Sequence, residues 1–277
     1  MRARELVVAG VRAHLLAAGT ATDKAPVILI HGLGASSYSF RHLIPELARD
    51  RQVFAPDLPG FGRSDAPADF DYSFMGFARW LESLLLALGH ERADFVGNSM
   101  GGVTSLRMAM ELPARVRRLV LLGTPVYPNN RPMLLWPMRW PVIGALYERA
   151  LGPWAVRFIA RTAFHDPSFV TDELVAEYSL SIGTPGGRRA VAEFLRRAIP
   201  PDAEELIARY PAFEHETMIV RGDYDRVVDL LSAERFSRAI KRGRFVAIPS
   251  CGHAPQEESP AVISGLLRDF LGTPDGR

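Results

Sequence analysis

Phe95-Val96-Gly97-Asn98-Ser99-Met100-Gly101-Gly102 sets a serine between two glycines, with the apolar run Arg92–Val96 before it and the helix-periodic run Val103–Leu112 after it. A strand that turns abruptly into a helix holds the residue at the turn in a strained backbone conformation, with its side chain thrown outward. A side chain two residues before or after that point would strike the turn, and glycine at 97 and 101 removes both collisions. The run before Ser99 predicts a strand buried on both faces and the run after it an amphipathic helix.

Working outward, the same strand and helix signals recur. Leu6–Val8 and His14–Leu16 are short β-prone runs around Gly10, which predicts a hairpin. Val27–Ile30, Gln52–Ala55 and Val116–Leu122 are apolar strand-like runs, and Phe40–Ala48 and Ser73–Leu88 have helical spacing. Ser73 is a suitable N-cap for the second of these helices and Gly89 a suitable residue just past its end. From Thr124 to Pro211 the rhythm breaks: no clear strand is present, and prolines and aromatics crowd together over Arg131–Pro141. It then resumes with a strand at Thr217–Val220, a helix at Ser232–Ile240, a strand at Arg244–Ile248 and a helix at Ala261–Leu271. Strands alternating with helices predict an α/β fold with a mostly parallel sheet. The expected organisation is one core domain from residues 1–123 and 212–277, interrupted by a helical cap insertion at 124–211.

A chain of 277 residues is long enough for one large core with such an insertion. The net charge of +2 comes from nearly balanced acids and bases, and the scattered arginines form no basic stripe, so nucleic acid is not an expected partner. The single cysteine, Cys251, excludes an intramolecular disulfide. No apolar run approaches a membrane span, and Glu5 and Arg12 interrupt what would have to be a signal segment. A cytoplasmic location is the expectation.

A serine hydroxyl is a poor nucleophile at neutral pH and needs an imidazole base, itself oriented by a carboxylate. In a parallel sheet such partners stand beyond the carboxyl ends of later strands. Asp225 follows the Thr217–Val220 strand, in Arg221-Gly222-Asp223-Tyr224-Asp225, and His253 follows the Arg244–Ile248 strand, in Cys251-Gly252-His253. Four motifs together resemble the α/β-hydrolase fold, in its lidded, epoxide-hydrolase-like, esterase-like and meta-cleavage-product-hydrolase-like branches. They are His31-Gly32-Leu33-Gly34, Asp57-Leu58-Pro59-Gly60-Phe61-Gly62-Arg63-Ser64-Asp65, the serine turn, and Gly252-His253. The resemblance implies an eight-stranded, mostly parallel sheet with helices on both faces and a helical lid. It implies Ser99, Asp225 and His253 as a catalytic triad, with Asp225 preferred to Asp223 because it stands three residues after Gly222. It further implies an oxyanion hole from the backbone N–H groups of Leu33 and Met100, with His31 bracing the loop and Asp57 and Asp65 serving a structural turn.

A serine rather than an aspartate at the turn implies acyl transfer. Hydrolysis of an apolar carboxylic ester is the first expectation. Carbon–carbon bond hydrolysis of meta-cleavage products is the alternative, because Gly-Asn-Ser-Met-Gly-Gly is similar to the turn of those enzymes. Two departures count against it: Gly34-Ala35-Ser36 lacks the usual proline of the oxyanion loop, and Ala254 stands where an aromatic usually follows the histidine. Lactonase or perhydrolase activity uses the same groups, and a non-catalytic ligand receptor on this fold is a further alternative. Trp136, Trp140, Tyr147, Trp154, Phe158, Phe164 and Phe169 are candidates either to line the substrate pocket or to form the core of the lid itself, with Trp136, Trp140, Trp154 and Phe158 put first for the pocket. Arg131, Arg139 and Arg188 are candidates to meet a substrate carboxylate or to lie solvated. Leu134–Trp140 is too short to anchor the chain to a membrane surface. His14, His42, His90, His165 and His215 have no metal-ligand spacing, so neither a metal nor a cofactor is expected, and the expected partner is a small molecule.

Overall fold

The computed structural model describes residues 1–127, 140 and 152–272. Its frame is one eight-stranded sheet: β1 (Arg2–Val8), β2 (Val11–Ala18), β3 (Val27–Ile30), β4 (Val53–Pro56), β5 (Ala93–Asn98), β6 (Val116–Leu122), β7 (Glu216–Gly222) and β8 (Gly243–Ile248). The strands lie in the order β1-β2-β4-β3-β5-β6-β7-β8. β1 pairs antiparallel with β2, and β2 antiparallel with β4; every later pairing is parallel. The carboxyl ends of β3, β5, β7 and β8 therefore open on one edge, and the residues that follow them can meet.

The central strands are apolar throughout because both faces are covered. Ile28, Ile30, Phe95, Leu119 and Leu121 pack on one face, with Phe77, Trp80 and Leu84 of α2 (Phe74–Ala87) and Leu106 and Met108 of α3 (Met100–Glu111). Val27, Leu29, Val96, Val120 and Leu122 pack on the other, with Leu43 and Ile44 of α1 (Leu43–Leu47) and Ile263 and Leu267 of the C-terminal helix Pro260–Gly272. Successive strand residues thus belong to opposite cores, as a two-residue repeat requires.

Between β6 and β7 the described chain is helical: α4 (Pro153–Ala163), α5 (Asp172–Tyr178), α6 (Pro185–Arg197) and α7 (Ala203–Ala208). After β7 come α8 (Leu230–Ala239), the short α9 (Pro255–Glu258) and α10, the C-terminal helix already given. No helix among the described residues is long and apolar enough to cross a membrane.

Two expectations from the sequence shift in register. The hairpin strands run further than their apolar runs, with Arg2 opposite Ala17, because backbone pairing extends beyond the side chains that bury. The helical spacing over Phe40–Ala48 resolves into a 3-10 turn at Ser37–Phe40 and the five-residue α1. Pro45 is the reason: it lacks an N–H and its ring excludes the preceding turn, so it is tolerated only near a helix start.

Ser73 caps α2, its hydroxyl accepting the Gly76 N–H at 3.0 Å. Ser73→Ala should lower unfolding free energy by about 1 kcal/mol, read from urea denaturation, with the α2 core contacts otherwise intact.

Candidate active site

Ser99 sits at the junction of β5 and α3 with φ 52° and ψ −117°, a left-handed backbone that a non-glycine residue holds only when its surroundings compel it. Its N–H donates to the Leu122 carbonyl at 2.9 Å, and its own carbonyl accepts the Val103 N–H at 3.1 Å. The flanking glycines clear the turn. A Cβ at Gly97 would lie 2.4 Å from the Gly101 carbonyl carbon, and one at Gly101 would lie 2.2 Å from the Ile30 carbonyl oxygen. Met100 is the first residue of α3, so its N–H has no partner within the helix and stands at the positive end of the helix dipole.

Asp225 follows β7 and is buried. Its Oδ2 lies 3.0 Å from His253 Nδ1, while Oδ1 accepts the backbone N–H groups of Val227 at 2.8 Å and Val228 at 3.0 Å. Burial pushes this carboxyl up, but the imidazole of His253 and the two amides outweigh it and hold the carboxyl below its ordinary value of 3.8. Its contribution to stability is therefore full above that ordinary value and is lost as pH falls through the lower folded one. Asp223, the other candidate acid, is exposed.

Sequence reasoning missed the brace of this loop. Arg221 is buried and donates to the carbonyls of Val228 at 2.8 Å, Gly222 at 2.7 Å and Asp225 at 2.8 Å. No local signal marks it, since its partners are backbone atoms of the turn that the loop itself creates.

His253 is held by its backbone. Its N–H donates to the Ala163 carbonyl at the end of α4 at 2.8 Å, and its carbonyl accepts Asn98 Nδ2–H at 3.0 Å. Nearby, the Glu258 carboxylate accepts the N–H groups of Gly252 at 2.9 Å and His165 at 2.7 Å. With Nδ1–H directed at Asp225, the imidazole keeps Nε2 as its free lone pair.

The loop after β3 carries Leu33. His31 is buried there, its Nδ1 2.8 Å from the Gly32 carbonyl and its Nε2 accepting the Leu58 N–H at 3.0 Å. Burial lowers its pKa, so it is a neutral link between two loops. Asp57 accepts the N–H groups of Ser37 at 2.6 Å and Arg63 at 2.8 Å, whereas Asp65 pairs with Arg12 on the surface. Cys251 is buried in the core beneath, and no group of acidic, histidine or cysteine side chains among the described residues could hold a metal.

Leu33, Ser99, Met100 and His253 all line one cavity of about 250 Å³. The walls are mostly apolar: Phe74 from α2, Val103 from α3, Ala155, Val156, Ile159 and Ala160 from α4, and Val191, Phe194 and Leu195 from α6. Tyr178 and Glu257 add polar groups. Of the aromatic candidates named from the sequence, Phe164 lines the cavity; the others that fall among the described residues do not. Trp154 and Phe158 are each 58% exposed and Trp140 is 47% exposed, and none of the three lines the cavity; Trp136 and Tyr147 lie outside the described residues. Helical geometry explains the reversal on α4. Positions 155, 156, 159, 160 and 163 share one face, which puts 154 and 158 on the opposite one. Arg188 donates to the Ile182 carbonyl at 2.7 Å and is not part of the lining; Arg131 and Arg139 lie outside the described residues.

A model of the alpha/beta hydrolase fold family matches residues 25–260. The chain is 32% identical to a 2-hydroxymuconate semialdehyde hydrolase of Pseudomonas sp. (strain CF600), over 98% of this chain and 94% of that one. It is also 32% identical to a 2-hydroxy-6-oxo-2,4-heptadienoate hydrolase of Pseudomonas putida, over 90% of each chain. Among solved structures, a meta-cleavage product hydrolase from Pseudomonas fluorescens IP01 superposes with a TM-score of 0.80 at 27% identity, covering 97% of each chain.

Two substitutions probe this geometry. Gly101→Ala should lower stability by about 1–3 kcal/mol, as overpacking against backbone does, and displace the turn; urea denaturation and turnover read both effects. Asp225→Asn should reduce kcat by about 10⁴-fold by releasing the imidazole tautomer, while Asp223→Asn stays near the native rate. The opposite ranking would reassign the acid.

Proposed function

As this chain belongs to the alpha/beta hydrolase fold family, we propose that it is a serine hydrolase that cleaves a carbon–carbon bond beside a carbonyl, in substrates of the meta-cleavage-product class. Within this reading Ser99 is the nucleophile, His253 the base and Asp225 the group that orients it. The N–H groups of Leu33 and Met100 form the oxyanion hole, and the helices between Thr124 and Pro211 cap the site. The observation that carries the reading is the full-length similarity to relatives named for this chemistry. The sequence alone put ester hydrolysis first, because of Gly34-Ala35-Ser36 and Ala254; the relatives reverse that order.

The chemistry follows from the geometry. Nε2 of His253 takes the Ser99 hydroxyl proton as Oγ adds to the carbonyl carbon. The tetrahedral oxyanion forms at the head of α3, where one backbone donor is typically worth about 2.7–4 kcal/mol of transition-state stabilisation. In a 2-hydroxydienoate, cleavage requires the 2-oxo tautomer, formed by loss of the enol O–H proton and addition of a proton at the carbon beside the attacked carbonyl. Collapse then breaks the bond to that carbon, its electron pair passes through the adjacent C=C into the 2-oxo carbonyl, and the imidazolium returns its proton to the resulting dienolate. Water, activated by the same imidazole, then hydrolyses the acyl-enzyme. The apolar walls keep other water out during these steps.

A second reading, hydrolysis of a neutral carboxylic ester, is favoured by one observation. No arginine or lysine is among the described residues that line the cavity, and a dienoate carboxylate would call for one. From the serine attack onward the steps are the same, with an alkoxide as leaving group.

The two are separated by assaying the purified protein against 2-hydroxy-6-oxohepta-2,4-dienoate and a series of p-nitrophenyl esters. Turnover of the dienoate supports the first reading, and turnover of esters alone replaces it with the second. Ser99→Ala should lower kcat by at least ~10⁴-fold on whichever substrate is used. A folded Ser99→Ala protein that retains its activity refutes the acyl-enzyme.

A further inference from the structure

Two polar side chains in the cavity wall take no part in the acyl transfer just described. Glu257, on α9, and Tyr178, the last residue of α5, both line the cavity. The Glu257 side chain is 1% exposed. One of its oxygens accepts Arg41 Nη1–H at 2.8 Å and the other accepts the Tyr178 hydroxyl. Arg41 is itself fixed: the same Nη1 donates to the Tyr38 carbonyl at 3.1 Å, and the guanidinium lies 4.1 Å over the Tyr38 ring.

A buried ion pair is a weak source of stability, because desolvation consumes most of the attraction and apolar side chains of equal volume usually do as well. Its presence in the wall of an otherwise apolar cavity therefore calls for another explanation. The carboxylate has about four lone-pair directions, and the two contacts leave acceptor capacity unused. Asn98, the remaining polar lining side chain outside the proposed triad, donates its amide N–H groups to the Leu122 and His253 carbonyls, so it keeps no donor for a ligand, and its Oδ1 is a neutral acceptor, weaker than a carboxylate. Arg41 offsets the charge of Glu257, so the pair favours a neutral donor over a cation.

We infer that Glu257, held by Arg41 and Tyr178, is a specificity-determining residue that accepts a hydrogen bond from a hydroxyl or enol O–H of the substrate, some atoms away from the carbonyl attacked by Ser99. This rests on the acyl-transfer reading above and holds whether the leaving atom is carbon or oxygen. The relatives reported above are named for 2-hydroxy compounds, whose O–H is a donor of this kind.

The test compares matched substrates with and without the donor. One pair, compared only by equilibrium binding to Ser99→Ala because an enol ether cannot form the 2-oxo tautomer that cleavage needs, is 2-hydroxy-6-oxohepta-2,4-dienoate and its 2-methoxy analogue. The other is a set of p-nitrophenyl ω-hydroxyalkanoates of four to eight carbons and the corresponding alkanoates. The wild-type protein should favour the hydroxyl form by about tenfold or more in kcat/KM in the ester series, the effect of one hydrogen bond to a charged group. In Glu257→Gln the amide oxygen turns to Arg41 and a donor replaces the acceptor, so the preference should collapse or invert. Should that variant fail to fold, the double variant Arg41→Met with Glu257→Met removes both charges without stranding either, and it should lose the preference too. A purely structural strut would change both members of each pair alike and leave the ratio unmoved. Equilibrium binding to Ser99→Ala gives an answer independent of turnover, with the hydroxyl form expected to bind about tenfold tighter than the methoxy form. If the wild-type protein turns over neither substrate type, the proposed reaction fails, while a binding preference in Ser99→Ala still upholds the subsite. A ratio near one in both turnover and binding, or a preference that survives in the variants, overturns it.

Discussion

The left-handed backbone at Ser99 is the constraint on which the rest of the site depends. A serine cannot hold φ at 52° by its own preference, so the structure holds it from outside. Leu122 on β6 takes its N–H, β3 passes so close that Gly101 has no room for a Cβ, and α3 starts at the next residue. The same crowding brings the Leu33 loop beside the head of α3. Strain at one residue is thus matched by packing among three elements, and the result is a serine held in the wall of a mostly apolar cavity.

Much of this was legible in the sequence, because it rests on local rules. The glycines around Ser99, the apolar runs of the central strands and the Ser73 cap each state their role within a few residues. Between Asp225 and Asp223 it was the family resemblance, through the distance from Gly222, that gave the preference, and the structure buries the first and exposes the second. What escaped depends on pairings that only the fold creates. The Tyr178–Glu257 contact joins positions 79 apart in the chain, and Arg221 binds carbonyls whose position is set by its own loop. The facing of α4 was misjudged for a related reason. Trp154 and Phe158 were taken to mark the cavity, but on α4 the small Ala155, Ala160 and Ala163 face inward, and the aromatic part of the lining comes from Phe74, Phe164 and Phe194 instead.

The cavity joins two kinds of chemistry that rarely share a wall. Its apolar side chains come alike from α2 and α3 and from α4 and α6, which lie between β6 and β7. Against these, the charged pair of Arg41 and Glu257 brings a fixed dipole into a low-dielectric space, where its orientation counts for far more than it would in water.

The bond from the His253 N–H to the Ala163 carbonyl has a consequence for how this architecture can vary. Reinforced by Glu258, which grips the chain on both sides of the contact through Gly252 and His165, it stitches the end of α4 to the loop that carries the imidazole. That stitch uses main-chain atoms on both sides. Side chains of α4 are therefore free to drift and alter what the cavity accepts, whereas the path of the chain at residues 163–165 is not. A helix grafted here from another member of the fold would have to reproduce a trajectory, and no particular sequence, to keep the histidine in place.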